Sequence, residues 1–138
     1  SCAVGEAVVS ELIENDLMNN ATEMGGYLMA KLKELANSNQ IIGDIRGKGL
    51  LLAAELVANK ETKEMLPVEC RGVYRLVEIG IENGLLLYTR KTSGGVFGEW
   101  VMITPALTIN RSEVDELIDL LRITFLQFEK ELKSQKYI

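Results

Sequence analysis

The sequence predicts an α+β domain, a small and mostly antiparallel sheet of three to four strands with two or three helices packed on one face. Three observations predict it. Apolar residues recur at helical spacing around positions 17–35, 68–83 and 114–132. Four short apolar runs bounded by glycine, proline or polar residues, at 41–46, 50–56, 85–89 and 100–104, have the length and density of strands. The chain's 138 residues, 47% hydrophobic and 25% charged, suit one folded domain rather than a disordered segment.

From the N-terminus, residues 3–14 form a helix whose Val4, Ala7, Val8 and Ile13 share a face. Asp16 is placed as N-cap of a second helix, since its carboxylate can accept from unpaired backbone N–H groups. Leu17, Ala21, Met24, Leu28, Leu32 and Leu35 form that helix's core stripe, and residues 37–40 end it. Gly25-Gly26 in its middle costs about 1 kcal/mol per glycine relative to alanine, which is best tolerated where another backbone packs close.

The first two strands flank Gly47-Lys48-Gly49, whose glycines predict a bulge or tight turn. The run from Leu50 to Ala54 reads as a strand buried on both faces. A polar connection at 58–67 leads to a helix over 68–83 with Val73, Leu76, Val77 and Ile81 inward and Gly84 as left-handed C-cap. Two further strands enclose a glycine-rich loop at 90–98 that opens with adjacent cations, Arg90 and Lys91. Asn110 and Glu113 have capping-box spacing. Val114, Leu117, Ile118, Leu121, Phe125, Phe128 and Leu132 then form a core face, and the charge run at 129–136 reads as a solvated helix end.

Composition narrows the function. A net charge of −5 without any Lys/Arg block argues against nucleic acid as a partner. The sequence has no window of about 18 uninterrupted apolar residues, so no membrane span is predicted, and it shows no signal-peptide pattern. Without histidine, His-based triads and most zinc sites are excluded. Cys2 and Cys70 read as reduced thiols of a cytoplasmic protein. The chain opens Ser1-Cys2-Ala3 directly into a helical pattern, as expected for a domain excised from a longer protein.

Three segments carry a resemblance: Ser1-Cys2-Ala3-Val4 with Leu12-Ile13-Glu14-Asn15-Asp16-Leu17; Met24-Gly25-Gly26-Tyr27-Leu28 with the stretch from Ile42 through Arg46-Gly47-Lys48-Gly49 to Leu50; and Ile103-Thr104-Pro105-Ala106-Leu107-Thr108-Ile109 with the helix beyond it. In this order they resemble the C-terminal small domain of the class III aminotransferases, enzymes that use pyridoxal phosphate (PLP). The resemblance implies that residues 1–138 are that domain and that the large PLP-binding domain is absent. It further implies packing against the chain's own large domain and a second subunit of a homodimer. The Schiff-base lysine, the partner of the pyridine nitrogen and the phosphate-binding groups would lie upstream, because no lysine here matches the family's motif. The fragment itself would be inactive.

Two departures bear on substrate. Met102 stands where the ornithine, acetylornithine and 4-aminobutyrate branches carry arginine, and Ala106 replaces a second proline. The first points toward the ω-amino acid:pyruvate-like branch, in which an amino group moves from an ω-amino acid or amine to a keto acid such as pyruvate. In that branch a mobile arginine binds the substrate carboxylate. Arg90 stands at the start of the corresponding loop, with Lys91 as the fallback. A guanidinium on a glycine-rich loop suits that task, since it grips a carboxylate with two parallel hydrogen bonds.

Arg46, Gly47, Gly49 and Pro105 are assigned structural or interface roles, with Arg46 donating to carbonyls or to a carboxylate across a domain interface. The Gly47-Lys48-Gly49 turn precedes a strand rather than a helix, so it is no phosphate loop. Tyr88, Phe97 and Trp100 surround the long loop, either as a contact rim or as plain core. Glu55 is either an inward carboxylate needing a partner or the solvent-facing position of its strand. Rival readings are another class III PLP enzyme (decarboxylase, racemase or aminomutase) and a stand-alone α+β interaction or ligand-binding module.

Overall fold

A computed structural model describes residues 2–91 and 98–138, the side chains of Arg90 and Lys91 excepted. The elements are α1 (Cys2–Glu14), α2 (Leu17–Ser38), β1 (Ile42–Lys48), β2 (Leu51–Leu56), a 3₁₀ turn (Val68–Cys70), α3 (Gly72–Glu82), β3 (Tyr88–Lys91), β4 (Glu99–Ile103) and α4 (Arg111–Ser134). The four strands form one sheet in the order β1-β2-β4-β3 with every neighbouring pair antiparallel. The fold is α+β, as the sequence predicts.

Period-two alternation decides which face is covered. Leu52, Ala54 and Leu56 of β2 and Val101 and Ile103 of β4 are buried, and Leu52 pairs with Ile103 and Ala54 with Val101. Their side chains join Leu28, Leu32, Leu76, Leu121, Phe125 and Phe128 in one core beneath α2, α3 and α4. On the opposite face Leu51 is 60% exposed and Tyr88 58% exposed, with Ala53, Trp100 and Met102 half-buried. The run from Leu50 to Ala54 is therefore not buried on both faces in this chain. Leucine and alanine cannot report how many layers cover a sheet.

α2 buries Leu17, Met24, Gly25, Leu28, Leu32 and Leu35 along its predicted stripe. A Cβ at Gly25 would lie 2.3 Å from the backbone of Gly49, so the close backbone approach expected of this glycine pair is real; Gly26 has nothing within 4 Å. Gly49 sits at φ 57° in the two-residue connection between β1 and β2. The tight turn is confirmed, and it rests on the helix.

Several expectations are corrected. Asp16 precedes α2 with a left-handed backbone (φ 50°) and makes no cap. A capping side chain reaches the N2 or N3 N–H from an extended backbone; here both Asp16 carboxylate oxygens accept from Asn19 Nδ2 at 2.9 Å instead. α3 starts at Gly72, after the 3₁₀ turn and the left-handed Arg71. Its buried residues are Gly72, Val73, Leu76, Ile79 and Gly80, whereas Ile81 is exposed. At 3.6 residues per turn Ile81 lies about 80° round from Val73, which takes it off the core stripe. Strand β3 begins at Tyr88 rather than at 85, with Leu85 and Leu87 buried just before it.

Gly84 has φ 81°, and Leu85 N donates to Gly80 O at 2.7 Å, closing α3 with the expected left-handed cap. Asn110 and Glu113 form both arms of a capping box on α4. Glu129 departs from the predicted solvated charge run: it is buried and accepts from Lys133 Nζ at 2.6 Å and Gln40 N at 3.2 Å. α1 buries no residue, and Val4, Val8 and Ile13 are exposed. Cys2 is exposed, and Cys70 is buried with its Sγ donating to Pro67 O at 2.9 Å. Among the described residues no helix is long and apolar enough to cross a membrane, and no cluster could hold a metal ion.

Candidate functional site

The open face of the sheet gathers most of the residues singled out from the sequence. Register sets Arg46, Ala53, Met102 and Tyr88 in one row across the four strands, and Asp44, Glu55 and Trp100 in the next. A shallow hollow of about 480 Å³ is lined by Arg46, Lys48, Leu51, Ala53, Trp100 and Met102. Beyond Met102, a second of about 330 Å³ is lined by Leu86, Tyr88, Thr104, Pro105 and Leu117 among others. A groove of about 710 Å³ runs between α1 and the segment at 106–108, lined by Val4, Val8, Leu12 and Leu107.

Arg46 is held within its own sheet. Its Nη2 donates to Glu55 Oε2 at 2.8 Å, and its Nε lies 3.3 Å from Asp44 Oδ2. The Arg46 side chain is 61% exposed, so each pair is worth about 0–1 kcal/mol. Glu55 takes the solvent-facing position of its strand rather than an inward one, and on the open face it is partnered by Arg46. Gly47 and Gly49 bracket the turn seated on α2, and Pro105 ends β4 at the rim of the second hollow. The backbone of Arg90 pairs with Trp100 and that of Lys91 with Glu99; the side chains of both, and the whole of Phe97, lie outside the described residues.

Two polar arrangements escaped the sequence reading. Glu99, buried at the start of β4, accepts from Val73 N at 3.1 Å at the first turn of α3. A trace of it exists in the sequence: Gly72 is small because a Cβ there would lie 2.2 Å from Glu99 Oε2. Arg75 of α3 donates from Nε and Nη2 to the two carboxylate oxygens of Glu131 on α4, each at 2.8 Å. These bonds hold the Glu131 carboxyl below the usual carboxylate range and raise the Arg75 guanidinium above its ordinary value.

The match to known proteins is unambiguous at the level of family. Residues 1–125 match the model of the aminotransferase class-III family, and the chain belongs to that family. It is 37% identical over 125 residues to an uncharacterized aminotransferase of Schizosaccharomyces pombe, covering 90% of this chain and 27% of the relative. It is 34% identical over 125 residues to a leucine/methionine racemase of Thermococcus litoralis, covering 90% of this chain and 26% of the relative. Its fold superimposes with a TM-score of 0.81 on a thermostable (S)-enantioselective ω-transaminase from Thermomicrobium roseum, at 30% identity over 92% of this chain and 27% of that one. The chain thus spans about a quarter of the length of these relatives.

The residues described here do not by themselves fit PLP. A Schiff-base lysine needs a desolvated pocket and room for the cofactor. Burial does push the Lys60 ammonium below its usual value, but Lys60 Nζ donates to the Ala36 carbonyl at the end of α2. Half-buried Lys31 lies 5.5 Å over the Tyr27 ring, and Lys33, Lys48, Lys63, Lys130, Lys133 and Lys136 are exposed. The first turn of α3 is occupied by Glu99 and that of α4 by Asn110 and Glu113.

Proposed function

We propose that this chain is the C-terminal small domain of a PLP-dependent class III aminotransferase of the cytoplasm. It would form one wall of an active site completed by a large domain of its own polypeptide and by a second subunit. The observation that carries the reading is the family match across residues 1–125 in a chain about a quarter as long as its relatives. The uncovered face of the sheet supports it, as do the exposed apolar side chains of α1, which want a covering surface. PLP and its lysine belong to the large domain; this chain supplies shape and substrate contacts.

The intact enzyme moves an amino group from an ω-amino acid or amine to a keto acid such as pyruvate. Met102 in place of an arginine and the likeness to an ω-transaminase favour this branch. Arg90 grips the keto acid's carboxylate through its guanidinium fork, orienting the reacting carbon. A second reading, amino acid racemisation, is favoured by the racemase relative at 34% identity.

Half-reaction assays of the intact protein against a panel of amines and amino acids separate the two. Amino transfer to pyruvate supports the first reading, and loss of optical rotation without transfer supports the second. In the same protein Arg90→Ala raises KM for α-keto acids at least tenfold and leaves KM for simple amines unchanged. Unchanged keto-acid KM values would reject Arg90.

A further inference from the structure

Strand β1 has one side without a partner. Among the described residues its sheet neighbour is β2 alone, joined to it by the two-residue turn Gly49-Leu50. Hydrogen-bonded pairs alternate outward from such a turn. Lys48, Arg46 and Asp44 therefore bond to β2, and the N–H and C=O groups of Ile45 and Gly47 point away from it. Among the described residues no bond from outside the sheet reaches the backbone of either. Gly47 is exposed, and what a glycine exposes is backbone. An open edge of this kind is a template for a further strand. Its first residues are shielded by the register shift between Ile42 and Asp44 and by Lys63 Nζ, which donates to Gly43 O at 2.8 Å. Among the described residues no such cover reaches residues 44–48.

We infer that β1 pairs edge to edge with the β1 of a second copy of this chain, antiparallel about a two-fold axis at Ile45, so that two four-stranded sheets become one. Charge and register single out that occupant. An axis at Ile45 lays all seven residues of β1 on their equivalents, and the two Ile45 residues exchange their outward N–H and C=O groups. It sets Asp44 of each copy opposite Arg46 of the other on the open face, giving two pairs of opposite charge. An axis at Arg46 or at Asp44 would set like charges face to face, and an axis between residues would oppose outward-pointing backbone groups to inward-pointing ones. Arg46 has a donor to spare: Nη2 and Nε face Glu55 and Asp44 of its own sheet, and Nη1 has no partner among the described residues. Beside the turn, Ala21, Thr22, Gly25 and Gly26 of α2 line a hollow of about 330 Å³, which leaves the helix layer of the second copy room to approach. Such an approach gives Gly26, which meets nothing within 4 Å in a single copy, a reason to be small. The pairing stands whether or not the chain is part of a transaminase.

The test uses the intact protein, with Cys2→Ser to remove an exposed thiol. Asp44→Cys and Arg46→Cys are made separately, oxidised alone and as a mixture, and run on a non-reducing gel. Positions 44 and 46 of opposite copies form a non-hydrogen-bonded pair, whose Cβ atoms come within disulfide reach. A species of twice the chain mass forms in the mixture, with at least tenfold less in either variant alone. Charge reversal gives an independent measurement by sedimentation velocity. Asp44→Arg halves the mass of the assembly, and Asp44→Arg combined with Arg46→Asp restores it. Both positions are exposed, and unchanged melting temperatures verify folding. A link absent from the mixture, or as abundant in one variant alone, would overturn the inference. So would an assembly whose mass ignores the reversal, or one that the double exchange fails to restore.

Discussion

At the scale of single residues, the pair Gly25 and Gly26 separates packing from propensity. Both interrupt the same helix, and both carry the same intrinsic penalty relative to alanine. Only Gly25 meets another backbone, that of Gly49 at 2.3 Å from its would-be Cβ. Gly25→Ala therefore forces α2 away from the β1–β2 turn and destabilises the fold by about 1–3 kcal/mol, the range for overpacking. Gly26→Ala, with nothing within 4 Å, stabilises by about 0.5–1 kcal/mol. Urea denaturation of both variants checks this, and equal effects of one sign would contradict the contact. The pair itself was legible in the sequence; which of the two meets a neighbour was not, because that depends on the helix's rotation against the sheet.

At the scale of elements, α3 and α4 are joined by apolar packing and by the bidentate Arg75–Glu131 pair at 2.8 Å. Glu131 titrates lower in the folded chain than its ordinary 4.5. Its contribution is fully present above that ordinary value and disappears as pH falls through the depressed folded value. Glu131→Gln should thus destabilise by about 1 kcal/mol at neutral pH, since the pair is charge-assisted but half-exposed. The deficit should begin to shrink as pH falls below 4.5 and vanish once pH is below the depressed folded value, measured as the difference in melting temperature across a pH series. A deficit constant with pH would mean that packing rather than charge joins the helices there.

Sequence periodicity located α2 and α4 well, because long amphipathic stripes and the Asn110–Glu113 capping box are local signals. It failed at Asp16 and at the start of α3, where left-handed Asp16 and Arg71 set the chain's direction and no periodic signal reports a backbone angle. Glu129 looked like part of a solvated run because burial through partners on Lys133 and Gln40 requires the fold to bring residue 40 beside α4.

At the scale of the whole molecule, one face of the sheet is closed by three helices and the other is open. Leu51, Tyr88 and the α1 residues Val4, Val8 and Ile13 are all more than half exposed. Exposed apolar residues of this kind mark contact sites. Produced as these 138 residues alone, the protein should self-associate at rising concentration in sedimentation velocity. Leu51→Lys with Val8→Lys should reduce that association without lowering the melting temperature. A strictly monomeric wild type would count against a missing covering surface. PLP added to the same chain should give no borohydride-fixed adduct at a single lysine, and one formed at a unique site would place the cofactor lysine within these residues.

Amphipathic period, turn glycines and capping residues suffice to define the α+β class, the order of its elements and the core stripes of its long helices, because each is written in residues a few positions apart. They also carry enough family wording to locate the chain among class III aminotransferases. Only the folded arrangement decides that the apolar run at 50–54 has one bare face, that Arg46 is engaged by Asp44 and Glu55, and that Tyr88 and Thr104 share a hollow. Those facts join residues distant along the chain. Strand register and helix packing determine them, and no local pattern encodes either.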